Sequence, residues 1–551
     1  MVSFFESVVR DHSKDHAVTV TRYGATRSPP NPYTTLLDST LELEVPRRSV
    51  PRQGVPGATT SPYGDVMPTH PHEPHNAAEL VEGVDPDALE IVADDEDLTT
   101  LEGIPNAPHA GIVITIASMG FFLITLDIGI VNVALSRIRA DLGGDMTGQQ
   151  WIIDAYTLLF AALLLFAGNL ADRVGAKRSL AVGLVIFALT SAACALAPST
   201  TLLIAARAAQ GVGAALMLPA SMSLVREAFP DPGRRARALG VWAVGGAVAG
   251  LTAQPLGGLL TTYDWRLVFT INLPVCAAML VLLKWVATSA RRPQPFDWVG
   301  QVLAVVGLAG LVYGLIEGGH AGFGSAPALI SLIVAAVALT GFVVAQGRVR
   351  HPMMPLDLFH AHGFRIALPV GFAFMVGHFG NVFVLTLHLQ QHLGLSPLHA
   401  GLVFLPASFF AIGANLASGV ITNRFGARVA VVGGLFCMSM ALLVLLVVAP
   451  LGSPVPIALC LILTAGGALA MPSVTSVVLE GVPAHQAGTA SAVFNTFRQV
   501  GGAVAIAVFG ALIADPDHID RGLRISLGIA AVLILLAALN SLRIAPRADV
   551  V

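Results

Sequence analysis

The sequence predicts an all-α polytopic membrane protein in which two homologous bundles of six transmembrane helices flank two further central helices. Three observations support this prediction. The chain of 551 residues is 55% hydrophobic and only 12% charged, which is too little charge to cover the surface of a soluble protein of this size. The charge is concentrated in residues 1–110, whereas residues 111–544 are almost continuously apolar. A short charged loop at residues 168–178 returns in a weaker form at residues 419–428.

Fourteen apolar runs of membrane-spanning length follow one another along the chain. The hydrocarbon core of a bilayer requires about 20 apolar residues per helix. The predicted spans are roughly 112–135, 150–169, 179–197, 200–222, 239–261, 266–288, 297–317, 326–346, 366–390, 400–420, 428–449, 455–479, 489–513 and 524–542.

The spans divide the chain into five predicted regions. Residues 1–110 mix Pro, Ser, Thr, Asp and Glu without periodicity, which is typical of a disordered polar tail, and the N-terminus lacks the apolar stretch of a cleavable signal peptide. The other regions are an N-terminal six-helix bundle (111–290), two linker transmembrane helices (291–350), a C-terminal six-helix bundle (351–545) and a short tail (546–551).

The distribution of basic residues predicts the orientation of the chain. Seventeen Lys and Arg residues fall in the loops and the tail on one side of the predicted membrane, against five on the other side. Because cytoplasmic loops carry the excess of Lys and Arg, both termini are expected to be cytoplasmic. The five Trp residues lie near predicted helix ends, as in the aromatic belts of membrane proteins. We therefore expect a multi-pass protein of the plasma membrane.

Two further pairs of segments repeat between the halves. The residues 213–219 match residues 466–472, and residues 245–249 match residues 501–505. The pairs occur in the same order and at similar offsets, which indicates duplication of a six-helix unit. Two homologous bundles around a shared midplane cavity are the architecture of many secondary transporters.

Several of these segments resemble those of one transporter family. The loop at 168–178 is similar to the loop between helices 2 and 3 of the major facilitator superfamily. Residues 126–135, 207–213 and 250–258 resemble the helix 1, helix 4 and helix 5 signatures of its fourteen-helix drug:proton antiporter family. The resemblance covers residues 111–544. It implies the major facilitator fold and proton-coupled export of drug-like compounds.

The chain departs from the family pattern at three places. Gly129 stands where the first-helix signature has Thr, and Ser136 where it has Pro. Gln254 stands where the family pattern of the fifth span has Gly before Pro255. An amide at this position either tunes the substrate site or hydrogen-bonds across helices, and it interrupts a ridge of small residues suited to close helix packing.

The sharpest candidate for chemistry is Asp127, in the middle of the first span. No other charged residue lies between Gly111 and Arg137, and a carboxylate in the membrane is costly unless it is paired, hydrated or protonated. Arg207 in the fourth span is the natural partner. It stays charged at accessible pH and therefore cannot carry the proton itself. The resemblance implies a proton-relay role. The alternatives are a structural carboxylate with a fixed partner, and an Arg that only donates to backbone carbonyls.

Asp154, near the start of the second span, is the third candidate for proton coupling. It is either a second acid near the external mouth or a hydrated residue at a helix end. Candidates for the substrate cavity are the polar residues Asn132, Gln210, Gln254, His378 and Asn381. His378 could titrate near neutral pH, although a lone His in a span is more often a satisfied hydrogen-bonding group.

Glycine and charged residues of the two family motifs are predicted to serve conformational change. In the loop, Asp172 could accept hydrogen bonds from the N-terminus of a neighbouring helix and lock one state, and its counterpart in the second copy is Asn423. Pro255 removes a helix hydrogen bond and is expected to kink its helix. The full set is Gly168, Asp172, Arg173, Gly175, Lys177, Arg178, Gly250, Pro255, Gly257 and Gly258.

The sequence thus predicts a proton-coupled exporter of small amphipathic or hydrophobic compounds that works by alternating access. A phosphate-binding Gly-x-x-x-x-Gly-Lys-Ser/Thr motif is absent from the sequence, which favours a proton gradient over ATP. We expect no cofactor, metal or nucleic acid, and a monomer whose partners are the substrate, protons and the bilayer. Two alternatives stay open: an exporter of an endogenous lipid, peptide or secondary metabolite, and a membrane enzyme. The enzyme would need convergent polar residues in the spans.

Overall fold

A computed structural model describes residues 107–291, 295–483, 486–515 and 519–545, and every regular element within these ranges is a helix. Fourteen of the described helices are long and apolar enough to cross a membrane, which confirms the predicted fold class. They are α1 Ala110–Leu142, α2 Met146–Val174, α3 Ala176–Ala195, α4 Thr200–Ala228, α5 Pro232–Tyr263, α6 Leu267–Trp285, α7 Trp298–Ala321, α8 Ala326–Gln346, α9 His362–His392, α10 Pro397–Phe425, α11 Ala427–Leu451, α12 Pro454–Glu480, α13 Ala487–Leu512 and α14 Ile519–Ser541.

The predicted tails lie almost wholly outside the described residues, and the predicted domain boundaries stay predictions. Several helices change their winding within the span. α9 closes with a π-helical turn at His388–His392, and α12 contains a 3₁₀ segment at Ala465–Leu469. That segment holds Gly466 and Gly467, which lower the intrinsic preference for an α-helix.

Side chains and glycines at the helix ends explain where many spans begin and end. Asp145 caps α2 by accepting a hydrogen bond from the amide of Gly148 at 2.9 Å, and Asp297 caps α7 through the amide of Gly300 at 2.7 Å. The turns α2–α3 and α10–α11 consist of one glycine each. Gly175 has a φ of 94° and Gly426 a φ of 86°, which L side chains rarely adopt. The repeated loop therefore folds in the same way in both halves.

Helix packing reproduces the sequence repeat. In the first half α1 packs against α5, α2 against α4 and α3 against α6. The equivalent pairs of the second half, α9 with α13, α10 with α12 and α11 with α14, also pack together. Two bundles with the same internal pairing therefore form the scaffold.

The two central helices have different positions. α7 packs against α2 of the first half and α13 of the second, and Leu308, Val312 and Ile316 join residues of both helices in one apolar cluster. Gln301 also donates a hydrogen bond to the carbonyl oxygen of Ala162 in α2, at 2.9 Å. α8 packs mainly against α7. The helices without a counterpart in the repeat are therefore anchored through α7.

The two halves are in contact on the side of the α1–α2 loop. Gln150 of α2 donates to the carbonyl oxygens of Ile506 and Ala507 in α13, at 3.1 and 2.8 Å. Gln390 of α9 donates to the carbonyl oxygen of Val133 in α1, at 3.0 Å. The side-chain amides of Gln150 and Gln390 thus donate to backbone carbonyls of the opposite half. These hydrogen bonds stabilise the contact between the halves on this side.

The same side carries the contact between α5 and α10. Gly258 faces the carbonyl oxygen of Pro397, and Gly401 faces that of Gln254. Toward the other side, Gly240 of α5 and Gly413 and Gly419 of α10 have no neighbouring atom within 4 Å of the position a Cβ would take. The glycine faces of the two helices are thus in contact at one end and open at the other.

Candidate functional site

Five helices of the first half converge on a buried polar cluster around Asp127. The carboxylate of Asp127 is fully buried and accepts hydrogen bonds from three side chains. Oδ2 accepts from Nη1 of Arg207, and Oδ1 accepts from Nε2 of Gln210 at 2.9 Å and from Nδ2 of Asn272 at 3.0 Å. All three partners are donors, so the arrangement fits the ionised form of Asp127.

Arg207 is held from several directions. Its Nε donates to the carbonyl oxygen of Ile152 at 3.0 Å, and its Nη1 also donates to Oε1 of Gln210 at 2.7 Å. The guanidinium lies over the ring of Tyr156 at 4.3 Å, a cation–π contact that is strong in a desolvated site. Arg207 therefore pairs with Asp127 and also donates to a backbone carbonyl, so it is not an Arg that only donates to backbone carbonyls.

Three members of the cluster were missed by sequence reasoning. The hydroxyl of Ser191 accepts from Gln210 at 2.9 Å and from Asn272 at 3.2 Å, which ties α3 to α4 and α6. Tyr156 supplies the ring under Arg207. A signal existed for Ser191 and Asn272, because polar side chains inside apolar spans usually face a protein partner. Their partner could not be read from the sequence.

Asp154 is also fully buried, in contrast to a hydrated helix end. Its Oδ1 lies 3.4 Å from the hydroxyl of Thr157, one turn further along α2, and its Oδ2 has no hydrogen-bond partner among the described residues. Its surroundings differ from those of Asp127, because Asp154 forms no ion pair within the described ranges of the chain. A second acidic residue thus lies within the apolar layer of the first half.

The five candidates for the substrate cavity differ in their burial and in their hydrogen-bond partners. Gln210 belongs to the buried cluster, and Asn132 is buried and donates to Ile128 of its own helix at 3.0 Å. Gln254 is buried and donates across helices to the carbonyl oxygen of Gly129 at 3.3 Å. Asn381 is buried, with an Oδ1 that lacks a partner within the described part of the chain. His378 is the one candidate of the five that is exposed.

Comparison with known proteins identifies this scaffold. Residues 117–506 match the Major Facilitator Superfamily. The chain belongs to that superfamily. The fourteen-helix pattern, the paired bundles and the family match agree, and they make the chain a membrane transporter rather than an enzyme.

Relatives within the superfamily are named for drug resistance. The methylenomycin A resistance protein of Streptomyces coelicolor is 34% identical over 443 residues, which cover 80% of this chain and 93% of the relative. The multidrug resistance protein Stp of Mycobacterium tuberculosis is 36% identical over 400 residues, covering 72% of this chain and 74% of the relative. Among solved structures, a D-xylose-proton symporter aligns with a TM-score of 0.58 at 14% identity, covering 79% of this chain and 98% of its own; this likeness supports the fold.

The charged loop at residues 168–178 contacts the segment that follows α6. Lys177 donates through Nζ to the carbonyl oxygen of Val286, and its amide donates to the hydroxyl of Ser289 at 3.1 Å. A Cβ on Gly175 would lie 3.2 Å from the carbonyl oxygen of Ser289. Arg173 lies over the ring of Phe296 at 4.9 Å, whereas Arg178 is exposed. The loop thus links α2 and α3 to the connection between α6 and α7.

Asp172 lies close enough to Arg226, at the end of α4, for the two charges to interact. The guanidinium of Arg226 in turn faces Gly488 in the first turn of α13, where a Cβ would lie 3.1 Å from Nη1. This chain of contacts connects the loop of the first half with the second half. The conformational lock at Asp172 stays a prediction.

The glycines of α5 face different neighbours. A Cβ on Gly257 would lie 2.8 Å from the carbonyl oxygen of Ile130 in α1, and one on Gly258 would lie 2.5 Å from that of Pro397 in α10. Gly250 has no neighbour within 4 Å of that position, and Gly168 meets Pro219 only at 3.9 Å. α5 is one helix from Pro232 to Tyr263 with Pro255 inside it. Among the α5 glycines of the predicted set, close packing is therefore found at Gly257 and Gly258 and not at Gly250.

Proposed function

We propose that this protein is a proton-coupled secondary transporter that exports small amphipathic or hydrophobic compounds by alternating access. The observation that carries the proposal is the buried contact between Asp127 and Arg207, in a superfamily scaffold whose relatives are named drug efflux pumps and antibiotic resistance proteins. Export of drug-like compounds follows from these relatives, and proton coupling follows from a carboxylate held in the membrane beside a permanent cation.

Asp127 is the proposed proton carrier. Its three donors favour the ionised form, so proton uptake requires that Arg207, Gln210 or Asn272 withdraw. These residues lie on α4 and α6, and a relative movement of these helices would couple protonation to conformation. Breaking a buried ion pair by neutralising one partner costs about 3–5 kcal/mol, which is enough to shift an equilibrium between two states.

The driving force is adequate for export. One proton moving down 100 mV supplies about 2.3 kcal/mol, and each pH unit adds about 1.4 kcal/mol. In the proposed cycle the outward-open state admits a proton to Asp127, and the inward-open state releases it as the substrate binds. The state described here has α5 and α10 in contact on the side of the α1–α2 loop, which the distribution of Lys and Arg assigns to the outside.

The distribution of Lys and Arg supports the proposed orientation of the termini, and the location and the oligomeric state complete the proposal. Both termini are cytoplasmic, and the protein resides in the plasma membrane as a monomer. Each bundle has its own internal helix contacts, and α7 joins the two bundles within one chain. A single chain therefore carries both walls of an alternating-access pathway.

Proton-driven efflux from inverted membrane vesicles tests the proposal. Ethidium uptake into such vesicles is followed after a proton gradient is imposed, for wild type and Asp127→Asn. We expect uptake in wild type and its loss in the variant. Asp141→Asn is the matched control, because Asp141 lies on the same helix but is half-exposed and pairs with Arg266 at 2.8 Å. Full gradient-driven uptake by Asp127→Asn would show that Asp127 is not the proton carrier. An endogenous cargo would instead appear as a metabolite that accumulates in cells lacking the gene.

A further inference from the structure

The centre of α9 contains an exposed His in an otherwise buried helix. Of the fourteen spans, α9 has the largest buried share, 78% of its most apolar window. His378 nevertheless is exposed, although the five residues before it, Ala373 to Gly377, are buried, Phe379 after it is half-buried and Gly380 is buried. Because protein covers the helix on either side of His378 in this stretch, the exposed imidazole does not face lipid. His378 therefore faces an internal space of the protein.

Arg498 of α13 lies beside the same space. It is partly exposed, it is twelve residues into the helix Ala487–Leu512, and its charge is close enough to act on His378. The stem of the side chain crosses α9 at Gly371, where a Cβ would lie 2.9 Å from Cγ of Arg498. Nη1 donates to Oδ1 of Asn495 at 3.1 Å, and no carboxylate of the described residues forms an ion pair with the guanidinium.

The intramembrane Arg residues of the two halves thus differ in whether a carboxylate neutralises their charge. In the first half the charge of Arg207 is neutralised by Asp127 and is fully buried. In the second half Arg498 keeps its charge, and its Nε lacks a hydrogen-bond partner among the described residues. An unpaired charge at the depth of the bilayer is costly, so a site of this kind is stabilised by an anion that reaches it.

Aromatic rings form the walls next to the charge. Phe374 stacks on His378 with ring centroids 5.8 Å apart, and Phe379 meets the same imidazole edge-on at 5.2 Å. Arg498 lies 5.8 Å from the ring of Phe494. Phe379 also packs against the apolar cores of both halves, so the space adjoins the boundary between the bundles. A cation between aromatic walls suits a ligand with a compact anionic group on an apolar ring system.

We propose that Arg498, together with His378, binds the carboxylate of anionic amphipathic compounds in the internal space beside α9 and α13. The inference rests on the proposed function, because it names a substrate class for the same transporter. Arg498 offers the planar donor fork that matches a carboxylate, and His378 offers one further donor. Export of a carboxylate against inward-moving protons also carries more charge per cycle than export of a neutral compound.

Binding of two matched probes to the purified full-length protein tests the site. Naphthalene-1-acetate carries a carboxylate, and naphthalene-1-acetamide has nearly the same shape without the charge. Equilibrium dialysis in detergent gives both affinities for wild type, Arg498→Gln and Arg498→Lys. We expect wild type to prefer the carboxylate by roughly tenfold or more, as for a hydrogen bond to a charged group. Arg498→Gln should lose this preference while its affinity for the amide is unchanged, and Arg498→Lys should keep part of it.

Controls separate the failure of this inference from the failure of the proposed function. Arg348→Gln removes an exposed loop charge and should bind both probes as wild type does. If Arg498→Gln does not fold, His378→Asn carries the test, with a smaller loss of preference expected. Equal affinities in wild type, binding of neither probe, or an unchanged preference in the variants would overturn the site. Proton-driven ethidium efflux by wild type in the same preparation tests the proposed function separately, since it does not depend on a carboxylate.

Discussion

Gln254 of α5 donates a hydrogen bond to the backbone carbonyl of Gly129 in α1, at 3.3 Å. Both residues are departures from the pattern of the family that the chain resembles, and the structure brings them together. A Cβ at Gly129 would lie 2.6 Å from that of Ala253 and 3.8 Å from Nε2 of Gln254. The larger residue on α5 is therefore accommodated beside the smaller residue on α1. Of the two interpretations of Gln254, the hydrogen bond across helices is the one that the geometry supports.

This contact predicts that the two positions are energetically coupled. Gly129→Thr alone should destabilise the protein, since its Cβ would lie 2.6 Å from that of Ala253 and the rest of its side chain would extend beside Nε2 of Gln254, which is already in contact at 3.8 Å. Gln254→Gly alone removes a hydrogen bond between helices, and the double variant should recover part of the loss. Thermal unfolding in detergent of the four proteins gives the coupling, which we expect at about 0.5–3 kcal/mol. Strict additivity of the two single effects would show that the positions are independent.

The ion pair between Asp127 and Arg207 predicts that substitutions at these two positions are also energetically coupled. Asp127→Asn leaves Arg207 buried and uncompensated, and Arg207→Gln does the same to Asp127, so each should cost about 3–5 kcal/mol of stability. The double variant should lose less than the sum, because no buried charge remains. Chemical unfolding in mild detergent measures the four stabilities. Asp141→Asn should change stability by about 1 kcal/mol or less, since its ion pair with Arg266 is solvent-exposed.

The hydrogen bonds of Asn272 predict that this residue contributes to the stability of the cluster around Asp127. Asn272→Leu removes the donor that reaches both Asp127 and Ser191, and should cost about 1–3 kcal/mol. Asn415→Leu is a matched control, because Asn415 is partly exposed and donates only to Ala411 of its own helix. Unfolding temperatures and efflux rates of the two variants are compared. An Asn272 variant as stable and as active as the control would show that the hydrogen bond to Asp127 is dispensable.

The glycines of α5 predict that alanine at Gly258 disturbs the contact between α5 and α10, whereas alanine at Gly250 does not. Gly258→Ala pushes a methyl group against the backbone of Pro397 in α10, so it should separate the halves on that side. Gly250→Ala meets open space here and should leave stability equal or slightly higher, since Ala is favoured over Gly in a helix by about 0.5–1 kcal/mol. Cysteine-crosslinking yields between α5 and α10 report the separation. Equal yields in the two variants would contradict the packing argument.

Asp154 predicts a change in stoichiometry rather than in stability. Its Oδ2 has no partner within the described residues, so Asp154→Asn replaces a buried carboxyl by a neutral group of the same shape. Stability should stay within about 1 kcal/mol of wild type or rise. If Asp154 is the second proton site, the number of protons per exported molecule falls in the variant. The reversal potential of coupled transport in proteoliposomes measures this number, and an unchanged value would assign the coupling to Asp127 alone.

Fold prediction succeeded here because its signals are local. Fourteen apolar runs each satisfy their own backbone hydrogen bonds as helices, and the bilayer allows few other structures for such runs. The one-residue turns at Gly175 and Gly426 were visible as a repeated motif, and the repeat in turn implied equivalent helix pairs. Asp127 and Arg207 were recognised for the same reason, since a charge inside an apolar span is conspicuous in the sequence alone.

Partners and exposure were decided by the tertiary structure. Gln210 and His378 are both polar residues in the middle of spans, and nothing in the sequence distinguishes them. Packing buries Gln210 between α1, α3 and α4 and leaves His378 open to an internal space. Asn272 reaches Asp127 across 145 residues of sequence, and no local pattern encodes such a contact. The sequence by itself determined the scaffold and its charged residues, because burial in a bilayer acts on each span separately. The side chains that meet depend on how the helices rotate against one another, and only the assembled bundle determines that.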